Sequence, residues 1–165
     1  VMSTAISTEC QINCGLQMSF RHKSLKMRIA MPEQANIPRM MKSTAPEKYA
    51  ELEDKLPVRS REREAIAEAI IEIQVGWMED FAKLYPKLSG NMRTIHTSSD
   101  TSFNTSYETY LRGELCTYSE KTMILYASFI IGLLNAGRNL AIEVMGNTAK
   151  LYGFDSLLEA EQKQS

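Results

Sequence analysis

"REREAIAEAIIEIQVGWMEDFAKLY", residues 61–85, decides the fold class. Ile66, Ile70, Ile73, Trp77, Phe81 and Leu84 recur at steps of three and four. That spacing gathers them on one stripe of a helix and turns the stripe toward a core. Ser60 stands at the N-cap, where its hydroxyl can accept from a free amide of the first turn. Pro86 ends the run, having no N–H for a further turn. Gly76 lowers helix propensity by about 1 kcal/mol relative to alanine. The expected compensation is a neighbouring helix packed closely against it.

Outward from this helix the signals stay helical. Upstream, Thr44 and Glu47 fit a T-x-x-E capping box, with Pro46 just inside the start and Pro57 as a stop. A short helix is expected over residues 45–55. Residues 1–38 show no steady period, so the expected organisation is a poorly defined N-terminal segment, 1–38, and a helical domain, 39–165. Downstream, Ser119 can cap "EKTMILYASFIIGLLNA", residues 120–136. This helix is apolar on nearly every face and is expected at the centre of the fold. Gly137 permits a bend. In "RNLAIEVMGNTAKLY", residues 138–152, Leu140, Val144, Met145, Thr148 and Leu151 share a stripe. Gly153 suits the residue after a helix end, with Phe154 placed for the accompanying apolar contact. The tail "DSLLEAEQKQS", residues 155–165, reads as a short amphipathic turn that frays. Strand-type alternation is almost absent. The expected fold is all-α, a small helical bundle with one long ordered polar loop.

Composition narrows the function classes. The chain has 165 residues, 44% hydrophobic and 24% charged, with a formal net charge of −1. That is enough chain for one domain with a core, and the charge balance disfavours nucleic acid as a partner. The basic run "RHKSLKMR", residues 21–28, is short. The longest apolar run, "MILYASFIIGLL" at residues 123–134, falls short of the about 20 residues that cross a bilayer. With no secretory signal pattern at its start, the protein is expected to be cytoplasmic, without a membrane partner. Cys10 and Cys14 have C-x-x-x-C spacing with His22 nearby, half of a zinc set that needs four ligands. The expectation is no metal, and reduced thiols at Cys10, Cys14 and Cys116. No cofactor can be named.

The functional residues are sought in "IHTSSDTSFNTSYETYLRGEL", residues 95–115, where eight Ser and Thr crowd around His96, Asp100 and Asn104. Residues 86–103 form a long loop, and loops of that length are functional or disordered. Ile95, His96 and Phe103 among small hydroxyls favour order. Thr105 and Glu108 form a second T-x-x-E box, so a helix starts at Asn104 or Thr105. His96 titrates near neutrality and could serve as acid or base, or as a structural residue. Arg112 could hold a carboxylate or phosphate by its fork of donors, or form an i, i+4 ion pair with Glu108. On the last long helix, Asn139, Glu143 and Asn147 fall four apart. They are either a solvated face or one wall of a polar pocket. The catalytic candidates are therefore His96 and Glu143. The ligand-binding candidates are Asp100, Thr101, Asn104, Tyr107, Tyr110, Arg112 and Asn139.

Three stretches carry a resemblance. They are "RMMKSTAPEKYAELEDKLP", "EIQVGWMEDFAKLYPKLSGNMRTIHTSSDTSFNTSYETYLRGELCTYS" and "AGRNLAIEVMGNTAKLYGF". Together they resemble the bacterial family called domain of unknown function 4125, over residues 39–161. The most specific parts are residues 74–77, His96, 100–101, 104–113 and 137–140. The resemblance implies a small all-α protein of bacterial, cytoplasmic origin. It also implies a nucleotidyltransferase-like partner, since members are found beside or joined to such domains. It implies no reaction. Members have a longer, regular helical N-terminal half, from which residues 1–38 depart.

Two functions follow. One is a pocket for a small polar or anionic ligand, formed by residues 95–112 and the last long helix, with acid–base chemistry if it is an enzyme. The other is a non-enzymatic helical interaction module docking onto a protein partner.

Overall fold

The computed structural model describes residues 36–56 and 58–164. Among them the chain forms eight α-helices, two short 3-10 turns and no strand. The helices are α1 Asn36–Thr44, α2 Pro46–Ala50, α3 Arg61–Leu84, α4 Pro86–Gly90, α5 Tyr107–Leu115, α6 Glu120–Asn135, α7 Leu140–Leu151 and α8 Leu157–Gln162. The all-α class read from residues 61–85 is the class observed. The Cys10, Cys14 and His22 set, the basic run at 21–28 and the Pro57 stop lie outside the described residues.

The long helix α3 organises the rest. Ser60 Oγ accepts from the Arg63 N–H at 3.2 Å, the cap that the sequence predicts. Twenty-four residues make a rod about 36 Å long. Its buried face is Ala67, Ile70, Ile71, Gln74, Trp77, Met78 and Phe81. The predicted stripe is thus slightly rotated: Ile66 and Ile73 border the core, and Leu84, in the last turn, is 61% exposed. Helices α4, α5, α6 and α7 all pack on α3. Arg59 and Arg63 donate to the carbonyls of Cys116 and Tyr118, tying the α5–α6 turn to the start of α3.

Two apolar clusters share α3. Toward its start and middle, Ile70, Ile71, Trp77 and Met78 meet Tyr107, Leu111, Leu115, Met123, Ile130 and Leu133. Toward its end, Phe81 meets Leu88, Met145, Ala149, Leu157 and Ala160. Helix α8 is docked rather than frayed. Ser156 caps it, and the Glu161 carboxylate accepts from the Lys87 and Leu88 N–H groups, each at 2.8 Å.

Several local expectations are corrected. Helix α1 precedes the predicted Thr44 cap. Pro38 is tolerated there because first-turn N–H groups lack intrahelical acceptors. Thr44 Oγ1 bonds back to the Met40 carbonyl, so no capping box forms. Residues 45–55 split into α2 and a 3-10 turn at Glu53–Lys55. The long loop is interrupted by α4 and by a 3-10 turn at Thr97–Ser99. Nothing approaches Gly76: a Cβ there would meet no atom within 4 Å. Gly137 (φ 64°) and Gly153 (φ 84°) do turn the chain at positive φ. The Phe154 N–H donates to the Ala149 carbonyl, closing the α7 end as predicted.

The largest correction concerns α6, which is not central. It packs on α3 with Met123, Ile130 and Leu133 buried and Tyr126 and Ala127 beside them. Ile124, Leu125, Phe129, Ile131 and Leu134 are between 39% and 60% exposed. A helix apolar all round is buried only where neighbours cover every face, and α3 covers one. No single helix among the described residues is long and apolar enough to cross a membrane. Helices α6 and α7 reach the length together, but they are bent 92° apart.

Candidate functional site

The polar stretch folds around the start of α5. Ser106, fully buried, is the N-cap, and its hydroxyl accepts from the Thr109 N–H at 3.2 Å. The cap lies one residue beyond the predicted Thr105. The reason is Asp100. Its carboxylate accepts from the Ser106 N–H at 2.6 Å and from Thr109 Oγ1 at 2.6 Å. It also accepts from Ser43 Oγ on α1. A carboxylate at the positive end of a helix is favourably placed. Burial would raise the Asp100 pKa, but the bonds from Ser43, Thr109 and Ser106 together hold it below the ordinary aspartate value. Glu108, freed from the predicted box, accepts instead from the Thr97 N–H at 2.8 Å.

Arg112 is the second node. Its Nε and Nη2 grip Glu68 of α3 at 2.8 and 2.9 Å. Nη2 also reaches Glu108 at 2.9 Å, and Nη1 reaches Thr97 Oγ1 at 3.3 Å. Glu68 is the main cause that raises the guanidinium pKa above its already high value. Burial would raise the Glu108 pKa, but the Thr97 amide and Arg112 bring it below the usual glutamate value. Thr97 Oγ1 lies 2.8 Å from Thr109 Oγ1, so the Asp100 and Arg112 nodes form one network. His96 borders it, with Nε2 at 3.1 Å from Glu79 and Nδ1 at 4.0 Å from Glu108.

The other candidates take separate places. Thr101 and Asn104 pair their backbones, and the Asn104 amide donates to Thr94 Oγ1 at 3.1 Å. Thr101 Oγ1 accepts from the Phe103 and Asn104 N–H groups, the bonding of a turn. The Tyr107 hydroxyl is buried against Gln74 Oε1 at 3.2 Å, where the Tyr126 hydroxyl also donates. The Arg93 guanidinium lies 4.9 Å above the Tyr110 ring. Asn139 caps α7 through the Ile142 N–H, and its amide donates to the Trp77 carbonyl. The Glu143 carboxylate is gripped by Arg138 at 2.7 and 2.6 Å. Asp100, Arg112 and His96 therefore come together. Asn139 and Glu143 have their partners elsewhere, on α3, at the α6–α7 corner and in α7.

An open cleft of about 490 Å³ lies beside Arg112. Glu68, Glu72, Ala65, Ala69 and Val75 of α3 form one side, with Glu108 and Arg112 of α5 on the other. Three carboxylates face one guanidinium, so the cleft is acidic. Neither His96 nor Glu143 lines it. Among the described residues, no three His, Cys, Asp or Glu side chains are grouped to hold a metal ion.

The sequence reading missed Ser43, Glu68, Glu79 and Thr109. The two glutamates sit on the polar side of α3 and read as solvated. No local spacing announces a partner 44 residues away, as Glu68 is from Arg112.

A family model described as protein of unknown function (DUF4125) matches residues 39–162. No curated protein and no solved structure matches the chain.

Proposed function

We propose, from the premise that the chain belongs to the DUF4125 family of proteins of unknown function, that it is a non-enzymatic helical module docking onto a protein partner through α6. The carrying observation is the outward face of that helix. Ile124, Leu125, Phe129, Ile131 and Leu134 are 39–60% exposed, and residues 122–137 contain no charge. Those five side chains leave roughly 500 Å² of apolar surface open, a size that commonly marks an interaction site. The polar stretch supports the same reading, because Asp100, Glu108 and Arg112 spend their bonds inside the fold.

The test compares two neighbours on α6. Ile131→Lys changes the open face, and Ile130→Lys changes a fully buried position. The first variant should keep its helical circular dichroism at 25 °C and the second should lose it. If Ile131→Lys unfolds the chain as Ile130→Lys does, that face is core and the docking reading fails.

The cleft favours a second reading, a small ligand. Its three carboxylates would select a cation such as a small amine, rather than the anion that Arg112 alone suggests. Spermidine titrated by calorimetry against the wild type and Glu72→Gln tests this. Absence of heat with the wild type would end it.

A further inference from the structure

Resting on the docking reading, we propose that the partner is a second copy of this chain, with two α6 helices paired antiparallel about Ser128. Four observations carry it, beginning with spacing. Lys121, Ile124, Ser128, Ile131 and Asn135 recur at steps of three, four, three and four along the side of α6 opposite its buried stripe. That is the repeat of a helix-pairing seam. Ser128 stands at its middle, with Lys121 seven residues before and Asn135 seven after. Ile124 and Ile131, 51% and 50% exposed, flank it on either side. The seam reads nearly the same in both directions. A two-fold interface requires this, because each patch must complement itself.

The second observation is room at the centre. Ser128 and Gly132 are small, and a Cβ on Gly132 would meet nothing within 4 Å. A second helix can therefore come close along this line. The third is polar satisfaction. Ser128 Oγ donates to the Ile124 carbonyl at 2.9 Å within its own helix. It can be covered by a neighbour without losing a hydrogen bond.

The fourth is charge and area. The face offers nothing for a charged partner to match. Charges of both signs stand at its two ends, Glu120 and Lys121 at the start and Arg138 and Glu143 past the end. Antiparallel pairing sets one mixed end against the other and opposes the two helix dipoles. Covering the five apolar side chains on both copies removes roughly 1,000 Å², about the threshold for a specific interface.

The test uses the whole 165-residue chain. Sedimentation equilibrium between roughly 1 and 200 µM should give a dimer, within the affinity range of interfaces this size. The double substitution Ile124→Glu with Ile131→Glu should give a folded monomer. Under mild oxidation, Ser128→Cys should cross-link to its copy well above the unsubstituted chain. Lys121→Cys should not, because in this pairing the two positions lie about 21 Å apart.

A dimer that survives the double substitution overturns the proposal. Cross-linking of Lys121→Cys as strong as that of Ser128→Cys overturns the antiparallel arrangement. A wild-type monomer at the highest concentration also overturns self-pairing, and a hydrophobic dye then separates the two readings. If dye binding is present and falls in the double variant, the face is open to a different protein and the docking reading stands. If the wild type binds no dye, the face is covered and both fail.

Discussion

Asp100 does the work of several residues at once. One carboxylate accepts from α1 through Ser43, from the first amide before α5, and from the Thr109 hydroxyl. Removing it leaves a half-buried N–H and two hydroxyls to find other acceptors. Asp100→Ala should therefore cost about 1–3 kcal/mol, read as a lower urea midpoint with unchanged slope. Ser43→Ala, which removes one of the three donors, should cost less. The same carboxylate sets an acid dependence. Its folded pKa is depressed, so its stabilisation is fully present above the ordinary value of about 3.9 and is lost as pH falls through the lower folded value. Glu108 has the same sign. Acid titration of the wild type should show stability falling below about pH 4, and Asp100→Asn should flatten that fall. The sequence made Asp100 legible as a candidate but not its job. The T-x-x-E pattern at Thr105 is degenerate, and an acceptor five residues upstream moved the cap to Ser106.

At the scale of the element, local chemistry predicts ends better than faces. Ser60, Ser119 and the Gly153–Phe154 pair lie where the sequence places them, because a cap is satisfied within four residues. Which side of α6 is buried depends on how many neighbours reach it, and residues 120–136 carry no record of that. Gly76 and Gly137 separate the two kinds of information. Gly76 is helical with open space around it. Gly76→Ala should raise stability by up to about 1 kcal/mol in thermal melts. Gly137 sits at φ 64°, where a side chain is strained. Gly137→Ala should lower stability by about 1 kcal/mol in the same melts. Equal effects of the two would contradict the geometry. Arg112 and Glu68 show the converse limit: their bidentate pair joins two helices across 44 residues, beyond any local pattern.

For the whole molecule, α3 is the common wall of two apolar clusters. Helices α1 and α2 bury no complete side chain in either one, and α1 rests on α5. Amide hydrogen exchange should follow this ranking. The α1 and α2 amides should exchange first, by local opening, and those around Ile70, Trp77 and Phe81 last, with the global unfolding rate. Uniform protection from α1 through α7 would refute that order. The all-α architecture was legible because helical period repeats in every segment from 61 to 152. The packing order was not, since α3 and α6 both read as apolar helices.

The shared wall has a consequence for how damage spreads. A lesion in the Leu88, Met145 and Leu157 cluster lies at the far end of α3 from Ile70 and Leu111. Because one continuous helix serves both clusters, a fault at either end is transmitted as a loss of rigidity along a single beam. Distant substitutions in the two clusters should therefore weaken each other's tolerance without sharing an atom of contact.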